Sequence, residues 1–297
     1  MYETTPVAPN LRLVSPSLPG IYRSSALEDV DLAGAAAILD AYRVRTILDL
    51  RSDDELAEAR PTRAARALRL AYASAAPVGP GCVASERATD VRRPSLVEQP
   101  RLRLVHVPLL RDVDALFNEV ESRMPMARRA QALALRSISG RRYDQFLCDE
   151  ISRGRQTLLY TAMLRSARAE LSLALRTAAN RSSGAVLINC AKGKDRTGVV
   201  AALLQHAAGD NEGAIVEAYA ESEVLLEAHP AVAAAGERRA GGGGVDWSRL
   251  RGSPPEAMRE TLRWLRSEYG AIDLYLEDCL GANYASWRAD LLRGSAT

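Results

Sequence analysis

Ala185-Val186-Leu187-Ile188 is an apolar run of strand length, and Thr197 to Ala208 is an apolar run of helix length. Only the polar loop from Asn189 to Arg196, with Gly193 inside it, separates them. A buried strand that turns through one short loop into a helix is the repeating step of an α/β fold. The expected architecture is therefore a mostly parallel central sheet flanked by helices. The same turn leaves the loop's backbone amides at the start of a helix, where amide dipoles attract anions.

A second helix-to-strand step precedes it. Asp31 can cap a helix running to about Arg43, with Leu32, Ala35, Ala36, Ile38 and Leu39 at helical spacing; Thr46 to Leu50 then reads as a buried strand. Ile21 to Arg23 reads as a short extended segment at a sheet edge, residues 1–10 as loose chain, and Leu102 to Leu109 as a further strand. Residues 112–180 read as a helical insertion leading into the strand at Ala185. Its breaks are expected at Pro125 and Gly140, with one long helix from Gln156 to Thr177. Residues 71–101 lack periodicity and residues 231–244 end in four glycines, so both are expected as loops. Three C-terminal helices follow, Pro254 to Tyr269, Ile272 to Leu280 and Tyr284 to Leu292, with Gly270 and Gly281 as stops. With no internal repeat, one domain over residues 1–297 is expected.

Composition narrows the partners. The net charge is +2 and the arginines are scattered, so nucleic acid is not an expected partner. No run approaches the ~18 apolar residues of a spanning helix, and no basic start joins an apolar stretch near the N-terminus. The expectation is no integral membrane segment and a cytoplasmic location. Cys82, Cys148, Cys190 and Cys279 lie far apart, and His106, His206 and His229 stand alone, so neither a disulfide framework nor a metal site is expected.

The chemistry concentrates in the loop. A phosphate seated there would meet the Cys190 sulfur from below. The amides of Ala191, Lys192, Gly193 and Lys194 and the guanidinium of Arg196 would hold its nonbridging oxygens. Such surroundings lower a thiol from about 8.5 to about 3.5–7.5, which makes a cysteine a nucleophile at neutral pH. The implied reaction has two steps and needs no cofactor or metal. Cys190 takes the phosphoryl group, water then removes it, and Arg196 steadies the charge throughout. Asp195 is the preferred proton donor to the leaving oxygen and Asp112 the alternative acid. Thr197 can donate to the sulfur or cap the following helix. Of 39 basic residues only Lys192 and Lys194 are lysine, and both would add charge at the rim of the loop. A nucleotide-binding loop is excluded, because Lys194 is followed by Asp195 where Ser or Thr is needed.

Cys190-X5-Arg196-Thr197-Gly198 after a buried strand resembles the signature of the cysteine-based protein-tyrosine and dual-specificity phosphatases. The Gly193-Lys194-Asp195-Arg196 core resembles the atypical tyrosine phosphatase family 3, which includes bacterial tyrosine and phosphoinositide phosphatases. Ile21 to Ser25 with Leu27, Thr46 to Ser52 with Glu55, and Tyr269-Gly270 followed by Tyr275-Leu276 and Gly281 extend that resemblance. It implies a phosphatase-like fold, a phosphorylated protein or phosphoinositide as substrate, and a catalytic role for Asp195. Arg23, Arg51, Glu55 and Asn189 are candidate pocket residues; for Arg23, Arg51 and Glu55 a structural ion pair is at least as good a reading. Asn189 departs from the histidine usual in the family and cannot carry charge. A noncatalytic phosphate-binding module is the alternative that Asn189 favours, while sulfur transfer fits the Lys-Asp-Arg-Thr ending poorly.

Overall fold

The computed structural model describes residues 7–73, 102–229, 250 and 252–293. The expected loops at 71–101 and 231–244 lie outside the described residues, apart from positions 71–73, which continue a helix. Cys82 and Trp247 lie outside them as well.

Five strands form one sheet in the order β1 (Arg12–Leu13), β2 (Ile21–Ser24), β5 (Ala185–Asn189), β3 (Val44–Asp49) and β4 (Arg103–His106). Only β1 runs antiparallel, to β2; the other pairings are parallel. The expected α/β class and mostly parallel sheet are therefore present. β5 is central and buried along its whole length. That explains its continuous apolar run, since a parallel strand in mid-sheet has no solvent face.

Successive residues of β5 face opposite sides. Val186 and Ile188 join the larger apolar cluster, with Val200, Leu203 and Leu204 of α8 (Arg196–Ala208) and Leu171 and Leu175 of α7 (Arg168–Ala179). Leu187 joins the smaller cluster with Ile47, Ile38 of α1 (Leu32–Asp40) and Leu68 of α3 (Arg63–Ala73). Asp31 caps α1 as expected, accepting from the Gly34 amide at 2.8 Å.

Four helices lie between β4 and β5: α4 (Val113–Ser122), α5 (Met126–Ile138), α6 (Gly140–Ser166) and α7. α9 (Glu212–Glu227) follows α8, and α10 (Pro255–Tyr269), α11 (Ile272–Leu280) and α12 (Tyr284–Arg293) close the described chain with nearly the expected bounds. Among the described residues no helix is long and apolar enough to cross a membrane.

Four expectations need correction. Ile21–Ser24 is an interior strand, because β1 covers its outer side. Ala8 and Asn10 are buried where loose chain was expected. The single helix over 156–177 is two, broken where Ala167 leaves helical geometry at φ −107° and ψ 35° with neither Gly nor Pro to mark it. Two unforeseen helices precede β4: α2 (Asp53–Glu58) buries no residue and is held by its Ser52–Glu55 capping box, so apolar periodicity does not reveal it; α3 is the other.

Ile188→Ala removes a fully buried side chain from mid-sheet, and a loss of about 2–5 kcal/mol is expected by urea unfolding. A loss under about 0.5 kcal/mol would contradict the packing described.

Candidate active site

β5 delivers Cys190 between two neighbours: Asn189, the residue before it, sits in register with Ser24 of β2 and Asp49 of β3. The thiol is buried, with 2% of the residue exposed. The surrounding scaffold holds the loop by its carbonyl groups. The Leu50 amide donates to Asn189 O at 2.8 Å, and the Ala26 amide to Ala191 O at 3.1 Å. Asn10 Nδ2 donates to Lys192 O at 3.2 Å and to Gly193 O at 2.9 Å. Arg23 Nη2 donates to Gly193 O at 2.8 Å. Among the described residues, the amides of Ala191, Gly193, Lys194 and Asp195 donate to no protein acceptor. A ring of unclaimed amides beside a buried sulfur is a cradle for an oxyanion.

Gly193 is required by this seat. Its φ is +65°, and a Cβ there would lie 2.1 Å from Ser24 O and 2.7 Å from the Ser25 nitrogen. No L side chain fits such a contact.

Arg196 is aimed by a carboxylate. Glu55 receives both Nη1 and Nη2, the latter at 2.7 Å. Burial alone would raise the Glu55 carboxyl, but the hydrogen bonds and charge of Arg196 outweigh it and hold it below the ordinary value. Burial likewise opposes the Arg196 charge, and Glu55 together with the nearby Cys190 and Asp195 raises it above its ordinary range.

Asp195 is held from two sides. Its Oδ1 accepts from Tyr160 Oη at 2.5 Å and from Lys194 Nζ at 2.7 Å, and the Tyr160 and Tyr219 hydroxyls lie 2.8 Å apart. Burial, reinforced by the Asp195 charge, pushes the Tyr160 phenol well up, so it stays protonated and able to donate. With this strand, cradle and arginine in place, a family model described as tyrosine phosphatase family matches residues 19–292. The chain belongs to the tyrosine phosphatase family. A search of curated proteins found no matching relative.

Other residues singled out in the sequence of this tyrosine phosphatase family member take varied places. Lys194 does not stand at the rim: it is 3% exposed and also donates to Leu250 O at 3.0 Å. Lys192 is exposed. Among the described residues the buried Thr197 hydroxyl has no hydrogen-bond partner, on neither the sulfur nor the backbone, and Asn189 Oδ1 has none either. Asp112 caps α4 by accepting from the Ala115 amide at 2.7 Å, beside an open recess lined by Arg111, Val113, Asp114 and Glu170, with no loop residue among them. Arg51 is a structural clamp. It binds Asp49 at 2.6 Å and Glu28 at 2.7 Å, and His106 Nε2 meets its carbonyl at 2.7 Å. Among the described residues no group of three or more His, Cys, Asp or Glu side chains is placed to share a metal ion.

Asn10, Tyr160 and Tyr219 were missed from sequence. A tyrosine on an otherwise apolar helix face reads as core, and nothing near Asn10 marks a prop for a loop distant in the chain.

Two substitutions test the seat and the aim. Gly193→Ala is expected to abolish phosphate binding by calorimetry, because the loop must leave Ser24; binding within about twofold of the parent would contradict the seat. Glu55→Gln is expected to weaken phosphate binding about tenfold. Because the folded Glu55 value is depressed, its contribution to stability is present above the unfolded value of about 4.3 and is lost as pH falls through the folded one. The stability gap between parent and Glu55→Gln should therefore narrow as pH falls below the unfolded value, and a constant gap would refute the ion pair.

Proposed function

We propose that this chain is a cysteine-dependent phosphomonoester hydrolase acting on protein phosphotyrosine. The observation that carries the reading is a buried Cys190 at the head of a loop whose amides at Ala191, Gly193, Lys194 and Asp195 are unclaimed among the described residues, with Arg196 at the loop's end held by Glu55. Cys190 attacks phosphorus in line, breaking the bond to the tyrosyl oxygen and forming a cysteinyl-phosphate. Arg196 and the amides follow the charge on the three equatorial oxygens. Asp195, held in place by Tyr160 and Lys194, acts on the leaving oxygen in its protonated form and, left as a carboxylate, then takes a proton from the water that hydrolyses the intermediate. Thr197, whose hydroxyl has no partner among the described residues, is available to the sulfur as it leaves in the second step. Asp112 serves as a helix cap in this reading.

The burial of Lys194 bears on substrate. With its ammonium spent on Asp195 and the Leu250 carbonyl, Lys192 is the one lysine of the loop left at the rim, and the charge argument for a polyphosphorylated inositol loses half its basis. Phosphotyrosine is thereby favoured over a phosphoinositide headgroup.

Hydrolysis of para-nitrophenyl phosphate in EDTA between about pH 5 and pH 8 is the test, with Cys190→Ser alongside. The parent should turn over, and the variant should lose activity on the order of a thousandfold or more. Activity surviving in Cys190→Ser would sink the covalent mechanism. An inactive but folded parent that still binds phosphate would turn the reading to a noncatalytic phosphate-binding module. A phosphotyrosine peptide should give the higher kcat/KM against a soluble phosphoinositide, and the reverse order would overturn the substrate assignment.

A further inference from the structure

The cations around the loop are almost all matched by carboxylates. Arg196 has Glu55, Lys194 has Asp195 at 2.7 Å, Arg51 has Asp49 at 2.6 Å and Glu28 at 2.7 Å, and Arg12 has Glu221 at 2.9 Å. Among the described buried arginines and lysines, Arg23 is the exception. It is 1% exposed, and among the described residues no carboxylate lies within 4.0 Å of it. Its Nη2 donates to Gly193 O at 2.8 Å and to Ser222 Oγ of α9 at 3.3 Å, both uncharged, and its Nε has no partner among the described residues. An isolated guanidinium in a protein interior is costly unless an anion answers it.

Register places that anion. Arg23 pairs with Ile188 in the parallel β2–β5 ladder, so it lies on the sheet face that carries Ile188, two residues before Cys190. Its Nη2 is 3.5 Å from where a Cβ on Gly198 would stand, which puts the guanidinium beneath the first turn of α8 and behind the loop. Asn189 supplies no charge there.

We propose that Arg23 is the buried countercharge of the Cys190 thiolate, a positioning residue that favours the ionised nucleophile from behind the phosphate cradle. This rests on reading Cys190 as the nucleophile. The other titratable or charged groups around the pair are Arg12 from β1, Tyr160 from α6, Tyr219 from α9, and Lys194, Asp195 and Arg196 from the loop and α8. Burial, then the like charge of Arg12, pushes the Arg23 guanidinium down to about 9, while the Cys190 sulfur is the largest influence holding its proton on. It remains charged at neutral pH. Gly193 O ties the same guanidinium to the loop, so charge and loop position are set together.

The test is the pH dependence of Cys190 alkylation by iodoacetamide in the full chain, without phosphate, read by mass spectrometry on the peptide that holds Cys190. Arg23→Gln keeps a donor for Gly193 O and removes the charge; Arg23→Lys keeps the charge. The expected result is an alkylation midpoint about one unit or more higher in Arg23→Gln than in the parent, and one within about half a unit of the parent in Arg23→Lys. One unit means roughly tenfold less thiolate at a fixed pH below the midpoint. A low parent midpoint unchanged in Arg23→Gln would overturn the Arg23 proposal and leave the nucleophile reading intact. A parent midpoint at the ordinary thiol value would count against both. Should Arg23→Gln not fold, Arg23→Lys decides: a midpoint near the parent's supports the countercharge, and one raised by a unit or more overturns it.

Discussion

Gly193 comes so near the end of β2 that a Cβ would stand 2.1 Å from the Ser24 carbonyl oxygen. The cradle depends on that contact, because it seats the loop on a strand instead of leaving it to find its own shape. Asn10 and Arg23 then hold the Gly193 carbonyl from the same side. Residues far upstream in the chain therefore shape the loop from Cys190 to Arg196. β2 must be interior for this to work, and β1 makes it so.

On the opposite side of β5 a second chain of contacts aims the arginine. Arg51 is clamped to Asp49 and Glu28 at the end of β3, which fixes the turn into α2. Ser52 and Glu55 cap that helix reciprocally. Glu55 then spends its carboxylate on both Nη atoms of Arg196. A preorganised guanidinium stabilises developing charge without first having to reorient. The short helix buries nothing, and its place in the fold is electrostatic.

The sequence disclosed the parts whose local chemistry is unusual. A fully apolar β5, a Gly-containing polar loop and an apolar α8 can hardly be anything but strand, turn and helix, and Gly270 and Gly281, both at positive φ, mark their helix ends in the sequence as in the structure. Cys190, Asp195 and Arg196 stand out in the sequence for the same reason, as candidates in that loop. What stayed hidden depends on distance in the chain. Tyr160 lies 35 positions from the Asp195 carboxylate it steadies, and its helix reads as ordinary core. Lys194 looked like a rim charge because a lysine is rarely buried, and nothing local announces that Leu250 will supply a carbonyl. Arg23 and Arg51 looked alike as strand-end arginines. The structure separates them, since one has two carboxylates and the other has none within reach among the described residues.

Hydrolysis as proposed requires phosphate to become bonded to the sulfur of Cys190. Acid quenching of a reaction with a phosphotyrosine peptide, followed by mass spectrometry of the peptide that holds Cys190, reads this directly. One phosphoryl group on that cysteine, present during turnover and gone once substrate is exhausted, is the result expected. Turnover with no phosphoryl group at Cys190 at any time, or with one at another residue, would contradict it.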